Sequence, residues 1–397
     1  MLVCNLDRGG IVNVYLDNAA TTKAKKEVVE AMLPYFTEQY HNPSSLYGSA
    51  AKIKEDIEGA RKIVGNFIKA TSDEIYFTSS GSESNCWAIS GFCHYWNALD
   101  IQPTIITSTI EHKSILECVK NMIADVYYVD VDRNGLIKLD TLSDILNDVS
   151  LWGSPLLCSF QLANSEIGTV QNIAKISNVI RQHGGLLHVD AVQAFGQIPI
   201  DVDKMGIDML SVSGHKIGCP KGTGFLYIRK DTTISPMIYG SQMDGKRGGT
   251  ENVPYIMGMA KAVELCDISE TKMMRLYDKR DYFADNLIEN FGCKVNGLSY
   301  NRLPNNINVT FPQNITAEAL LYTLDLSGIQ VSVGSACNSH SIEPSYVLKA
   351  IGLSDEQAMK TIRITLSDAT TYKDIDYTID EIKKSIKLIE MQGGLNV

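Results

Sequence analysis

Between about residues 50 and 230 the chain alternates short runs of strand-forming residues with longer stretches of helical periodicity. No other feature constrains the fold as much. The runs are EIYFTS (74–79), TIITST (104–109), LLCSFQL (156–162), LLHVDAV (186–192), DMLSVSG (208–214) and GFLYIRK (224–230). Strands separated by helices do not pair as tight hairpins, so the pattern predicts an α/β unit with a mostly parallel sheet. Ahead of the first run, Ile53, Ile57, Ala60, Val64 and Phe67 recur at helical spacing and share one buried stripe. Beyond about residue 260 the pattern changes to long amphipathic stretches with shorter strands at INVTF (307–311), IQVSV (329–333) and TIRITL (361–366). That change predicts a second, smaller α+β unit.

At 397 residues the chain is too long for one simple core, and two domains are expected. Hydrophobic residues at 44% and charged residues at 21% are the proportions of an ordinary globular protein. A net charge of -10 argues against a surface built for nucleic acid or anionic lipid, so neither is expected as a direct partner. No run of about 18 apolar residues occurs. The opening MLVCNLDRGGIVNVYLD lacks the basic and apolar regions of a signal peptide, so a cytoplasmic location is expected. Nine cysteines are scattered without a CxxC pair, which predicts no metal site. A functional cysteine among them must be singled out by its neighbours.

Ligands of open α/β sheets bind beyond the carboxyl ends of the strands, and four polar segments follow strand-like runs there: SSGSES, EHKS, DAVQ and SGHK. Lys216 stands in a turn between two predicted strands, where a partly desolvated amine can lose its proton and attack a carbonyl. Taken alone, such a lysine is more often a solvated surface residue. Asp190, at the end of a buried strand, needs a positive partner, and a pyridinium nitrogen would serve. In SSGSES, Gly81 permits close approach and Ser82 opens a helix predicted over 83–93, a suitable phosphate cradle, although a plain helix cap reads the same way. Ser213 and His215 could complete that cradle. His112 follows a strand and could stack on a ring or shuttle protons; a structural histidine is the blander alternative.

Taken together these segments resemble the cysteine desulfurases of the NifS/IscS type, within the class V aminotransferases. The shared motifs are YLDNAATT (15–22), NPSS (42–45), EHKS (111–114), NSEIGTVQ (164–171), HVDAVQAFGQIPIDV (188–202), SGHK (213–216), PKGTG (220–224), RGGTEN (247–252), GSAC (334–337), EPSYVLKAIG (343–352) and IRITLS (362–367). The resemblance implies the α/β fold of type I pyridoxal phosphate (PLP) enzymes, with a large domain over 23–259 and a small one formed by 1–22 and 260–397. It implies that Lys216 carries PLP as a Schiff base and moves the substrate Cα proton. His112 would stack on the ring, Asp190 would pair with the pyridine nitrogen and Gln193 would donate to the phenolic oxygen. Ser82, Ser213, His215 and the backbone of Gly81 would hold the phosphate. Thr250 would reach the phosphate of a neighbouring subunit in a homodimer. Asn164 and Arg363 would hold the substrate carboxylate, with Asn42 beside them.

Cys337 would then attack the sulfur of bound L-cysteine, leaving alanine and a persulfide for an acceptor such as an iron–sulfur scaffold or a tRNA-thiolation protein. A selenocysteine lyase or other PLP-dependent β-lyase is the alternative, and an inactive scaffold of a sulfur-transfer assembly a remote one. The sequence departs from the family pattern at Tyr47, Cys86, Ser241, Met243 and Asp244, all beside the expected site.

Overall fold

A computed structural model describes residues 13–333 and 343–391. After a short strand β1 (Val14–Tyr15), the chain builds a seven-stranded sheet. Its strands are β2 (Ile75–Thr78), β3 (Thr104–Ser108), β4 (Asp125–Val129), β5 (Leu156–Gln161), β6 (Leu186–Asp190), β7 (Met209–Ser213) and β8 (Gly224–Ile228). They lie in the order β2-β8-β7-β6-β5-β3-β4. Every pair from β7 through β4 is parallel, and β8 runs antiparallel to both of its neighbours. The mostly parallel sheet is as expected; the antiparallel β8 follows from the short connection after β7, too short for a crossover helix.

Both faces of the sheet are covered, and the strands show it by alternation. Phe77, Ile106, Cys158, Phe160, Leu210, Val212, Phe225 and Tyr227 point into one apolar cluster. Tyr76, Ile105, Leu157, Met209, Leu226 and Ile228 point into the other. Period-two alternation between two dry faces gives continuous apolar runs in sequence, which is why these strands are legible there. The first cluster also takes the stripe of helix Gly48–Ile68, namely Ile53, Ile57, Ala60, Val64 and Ile68, while Phe67 sits at its margin against Phe195. The other cluster takes Trp87 and Phe92 of helix Gly81–Asn97.

A third apolar cluster joins Val14 and Leu16 to residues between Phe283 and Ile389. It fills the space between helices Glu270–Phe291, Ala317–Leu326 and Tyr372–Met391 and a second sheet. That sheet contains β9 (Lys294–Val295), β10 (Asn306–Thr310), β12 (Ser332–Val333) and β13 (Thr361–Thr365) in the order β12-β13-β10-β9, all antiparallel. Strand β11 (Ile329–Gln330) pairs in parallel with β1, so the N-terminal segment enters the fold against the C-terminal third of the chain. No helix among the described residues is long and apolar enough to cross a membrane.

Candidate active site

Because β2, β3, β5, β6 and β7 run in one direction, their carboxyl ends share one edge of the sheet. A cavity of about 240 Å³ opens there. It brings together Gly81, Ser82, His112, Asp190, Gln193, Ser213, His215 and Lys216, with Ser80, Asn85, Ser114, Gln161 and Ser165 also in its wall.

At one end stands the start of helix Gly81–Asn97, capped by Ser80, whose hydroxyl accepts from Glu83 N at 3.1 Å. The first amides of a helix lack intrahelical acceptors and carry its positive end, so this end suits an anion. A Cβ on Gly81 would come within 2.5 Å of Val192 Cγ2 and 3.3 Å of Ser213 Cβ, so only glycine leaves the amides approachable. Glu83 fixes the preceding turn, accepting from Ser79 N at 2.7 Å and pairing with Arg247 Nε at 3.2 Å. His215 sits in the same wall, its Nδ1 3.1 Å from Thr21 Oγ1. Burial, then the charges of Lys216 and Lys221, push its pKa down to about 4, so at neutral pH it serves as an uncharged donor or acceptor.

At the other end Asp190 closes β6. Its Oδ1 accepts from Val192 N at 2.9 Å and its Oδ2 from Asn85 Nδ2 at 2.8 Å. Asn85 lies one helical turn beyond Gly81 and so on the same face. His112 caps helix Lys113–Lys120 through Nδ1, which accepts from Ser114 N at 3.1 Å. Beneath it Glu111 is fully buried, its carboxyl 2.5 Å from Ser108 Oγ. Burial, and after it the charge of Asp190, drives that carboxyl well above the usual range.

Lys216 ends the turn Gly214–Lys216 directly after β7, and its Nζ donates to the carbonyls of Ala19 and, at 2.7 Å, Ala20. Gln193 Nε2 donates to Ala19 O at 3.0 Å. Thr22 Oγ1 donates to His215 O at 2.8 Å, so the N-terminal segment is laced directly over the lysine turn.

Four expected residues fall outside the lining. Asn164 is buried and spends its side chain on backbone: Oδ1 accepts from Glu166 N at 2.8 Å and Ile167 N at 3.0 Å, and Nδ2 donates to Ile110 O at 3.2 Å. Its neighbour Ser165 faces the cavity instead. Arg363, on β13, donates from Nη1 to Ser165 O at 3.1 Å and pairs through Nη2 with Asp17 at 2.8 Å, leaving a buried Nε without a partner. Asn42 is exposed and accepts from Ser44 N at 2.9 Å. Thr250 is exposed as well. Cys337 lies outside the described residues.

Asn85, Ser114 and Ser165 were not read from the sequence as site residues. Helical spacing from Gly81 would have found Asn85, and the EHKS segment contained Ser114. For Ser165 there was no local signal, because which of two adjacent polar residues faces the cavity depends on the turn that Asn164 closes.

The cavity suits a small aromatic phosphate ester with a basic ring nitrogen and an aldehyde. An anion cradle, a carboxylate and a lysine line the same space, as PLP requires. No group of His, Cys, Asp and Glu among the described residues is arranged to hold a metal ion.

Comparison with known proteins agrees in extent and in kind. The family model described as aminotransferase class-V matches residues 14–378. The chain is 44% identical over 381 residues to the cysteine desulfurase IscS of Dictyoglomus turgidum, covering 94% of each. It is 42% identical over 387 residues to the cysteine desulfurase IscS of Methanosarcina thermophila, covering 96% of this chain and 94% of that one. A solved NifS-like protein superposes with a TM-score of 0.86 at 34% identity, over 95% of this chain and 100% of its own.

Proposed function

We propose that this chain, which belongs to the class-V aminotransferase family and is a PLP-dependent cysteine desulfurase, uses the residues gathered at the carboxyl edge of its large sheet to move sulfur from L-cysteine to Cys337. The observation that carries the assignment of roles is that Lys216, Asp190, His112 and the Gly81 helix start all line one cavity.

PLP, when bound, withdraws electrons from the substrate Cα and so eases loss of its proton. Ser82, Ser213, His215 and the amide of Gly81 hold the phosphate. Asp190 keeps the proton on the ring nitrogen, and Gln193 donates to the phenolic oxygen. Lys216 would hold the cofactor through its carbonyl carbon, and its Nζ would serve as the base for the substrate Cα proton. Arg363 receives the substrate carboxylate, its guanidinium being held by Ser165 O and Asp17 next to the cavity residue Ser165. Asn164 acts with it, holding Ser165 and the turn behind it in place.

The sulfur step belongs to Cys337. Its thiolate attacks the substrate Sγ, the Cβ–S bond breaks with its electron pair left on carbon, and alanine results when Cβ takes one proton and Cα regains the one that Lys216 removed. Cys337 is left as a persulfide, whose outer sulfur passes to an acceptor thiol. An iron–sulfur scaffold or a tRNA-thiolation protein fits as acceptor. The exposed Thr250, on the segment tied to the phosphate end by Arg247, supports a homodimer in which it serves the neighbouring site. The described cysteines are all unpaired, as in the reducing cytoplasm.

Borohydride treatment of the holoenzyme tests the lysine. The yellow absorbance near ~420 nm that PLP shows on a lysine should vanish, and the cofactor should remain on the peptide containing Lys216. Labelling of another lysine, or parent-rate turnover by Lys216→Ala, would refute the assignment.

A further inference from the structure

The bonds around His112 fix its hydrogens as well as its orientation. The amide of Ser114 donates to His112 Nδ1 at 3.1 Å, and a backbone amide can only donate. Nδ1 therefore offers a lone pair and carries no hydrogen. Ser114 Oγ lies 2.8 Å from the same nitrogen and itself accepts from Asn85 Nδ2 at 3.0 Å, so its own hydrogen is directed to Nδ1. Asn85 Nδ2 also donates to Asp190 Oδ2 at 2.8 Å. Because a carboxylate can only accept, this contact sets which way the Asn85 amide faces. Asn85 thus donates to Asp190 on one side and to Ser114 on the other, and Ser114 donates to His112, so four side chains of the cavity are joined in one chain of hydrogen bonds.

We propose that Asn85 and Ser114 are positioning residues for the desulfurase reaction, holding His112 with its hydrogen on Nε2, so that His112 acts as a hydrogen-bond donor and proton exchange at the substrate Cα falls to Lys216. A second hydrogen could enter the ring only at Nδ1, where it would displace the Ser114 amide that caps helix Lys113–Lys120 and turn the Ser114 hydroxyl from donor to acceptor. The proposal revises the expectation that His112 shuttles protons. It rests on the reading that the cavity takes PLP and L-cysteine.

The test is the side-chain ¹⁵N spectrum of histidine-labelled holoenzyme, with the His112 signals identified by their loss in His112→Gln. The parent should show a bare Nδ1 and a protonated Nε2. Ser114→Ala should move the Nδ1 resonance and lower kcat about tenfold, with KM for L-cysteine nearly unchanged, and Ser114→Thr should restore both. Asn85→Ala should displace the absorbance maximum of the bound cofactor, because Asp190 loses a donor. A protonated Nδ1 in the parent would overturn the proposal without any variant having to fold. So would parent-rate turnover by Ser114→Ala, or a Ser114→Thr protein as slow as the alanine variant. Failure of the parent to bind PLP would instead strike the underlying reading, and the His112 spectrum of that sample would still decide the tautomer.

Discussion

At Gly81 a single added atom would crowd the helix start that we propose as the phosphate cradle. The missing Cβ leaves the helix start open, since Val192 Cγ2 would lie 2.5 Å away. Gly81→Ala should weaken PLP binding by about tenfold to a hundredfold, from ~1–3 kcal/mol of overpacking, as measured by cofactor titration of the apoprotein. Affinity equal to the parent's would show that the cradle lies elsewhere. Titration offers a second prediction at this scale. Burial holds His188 down to about 3, between Ser159 Oγ and Ser211 Oγ at 2.8 Å each, and holds His215 down to about 4. Below the ordinary histidine pKa of 6.5 the unfolded chain takes up protons that the folded one refuses, so these groups erode stability as pH falls from about 6.5 towards 4 and 3. Glu166 runs the other way: burial raises it from 4.5 to about 7, against Ser345, Arg363 and Lys113, so its contribution is full below 4.5 and lost as pH rises to about 7. Glu166→Gln should remove a fall in the unfolding midpoint between about pH 4.5 and 7 and leave its slope below pH 4.5 unchanged; an unchanged slope between pH 4.5 and 7 would refute the assignment. Lys216, Asp190 and His112 are legible in the sequence because each follows a strand run that announces where the sheet edge lies. Ser165 is not, because only the folded turn turns Asn164 inward.

Among the elements, helix Gly81–Asn97 links the chemistry to the core. Its first residues face the cavity, and its other face buries Trp87, whose indole N–H donates to Ser235 O at 3.0 Å. Trp87→Ala should cost about 3–5 kcal/mol and lower the thermal midpoint of the holoenzyme by several degrees. Trp87→Phe, which loses the hydrogen bond but keeps most of the apolar bulk, should cost much less. Equal midpoints for the two variants would mean that the packing around Trp87 does not hold the helix. The dry strands are legible as apolar runs, whereas β4 is not. It lies at the sheet edge with only Val129 fully buried, so Asp125, Tyr127 and Tyr128 give it no alternation to read. The helix start also lies slightly earlier than the pattern predicts, since Gly81 and Ser82 are weak helix formers admitted by the Ser80 cap.

For the whole molecule, the decisive arrangement is the convergence of distant segments on one site. Asp17 near the N-terminus, Ser165 beyond β5 and Arg363 on β13 meet through the bonds of a single guanidinium. Such long-range closure has no local signature: the family resemblance brought Asn164 and Arg363 together, and nothing in the sequence singled out Asp17. The same convergence places Ser345, which follows the Cys337 segment in sequence, 2.6 Å from Glu166 beside that guanidinium. Mass spectrometry after a single addition of L-cysteine is the most direct test of the account. The peptide containing Cys337 should gain one sulfur atom, removable by a reducing thiol, as alanine is released in equal amount. Alanine and sulfide formed at the parent rate by Cys337→Ala, or with Cys337 left unmodified throughout, would contradict it.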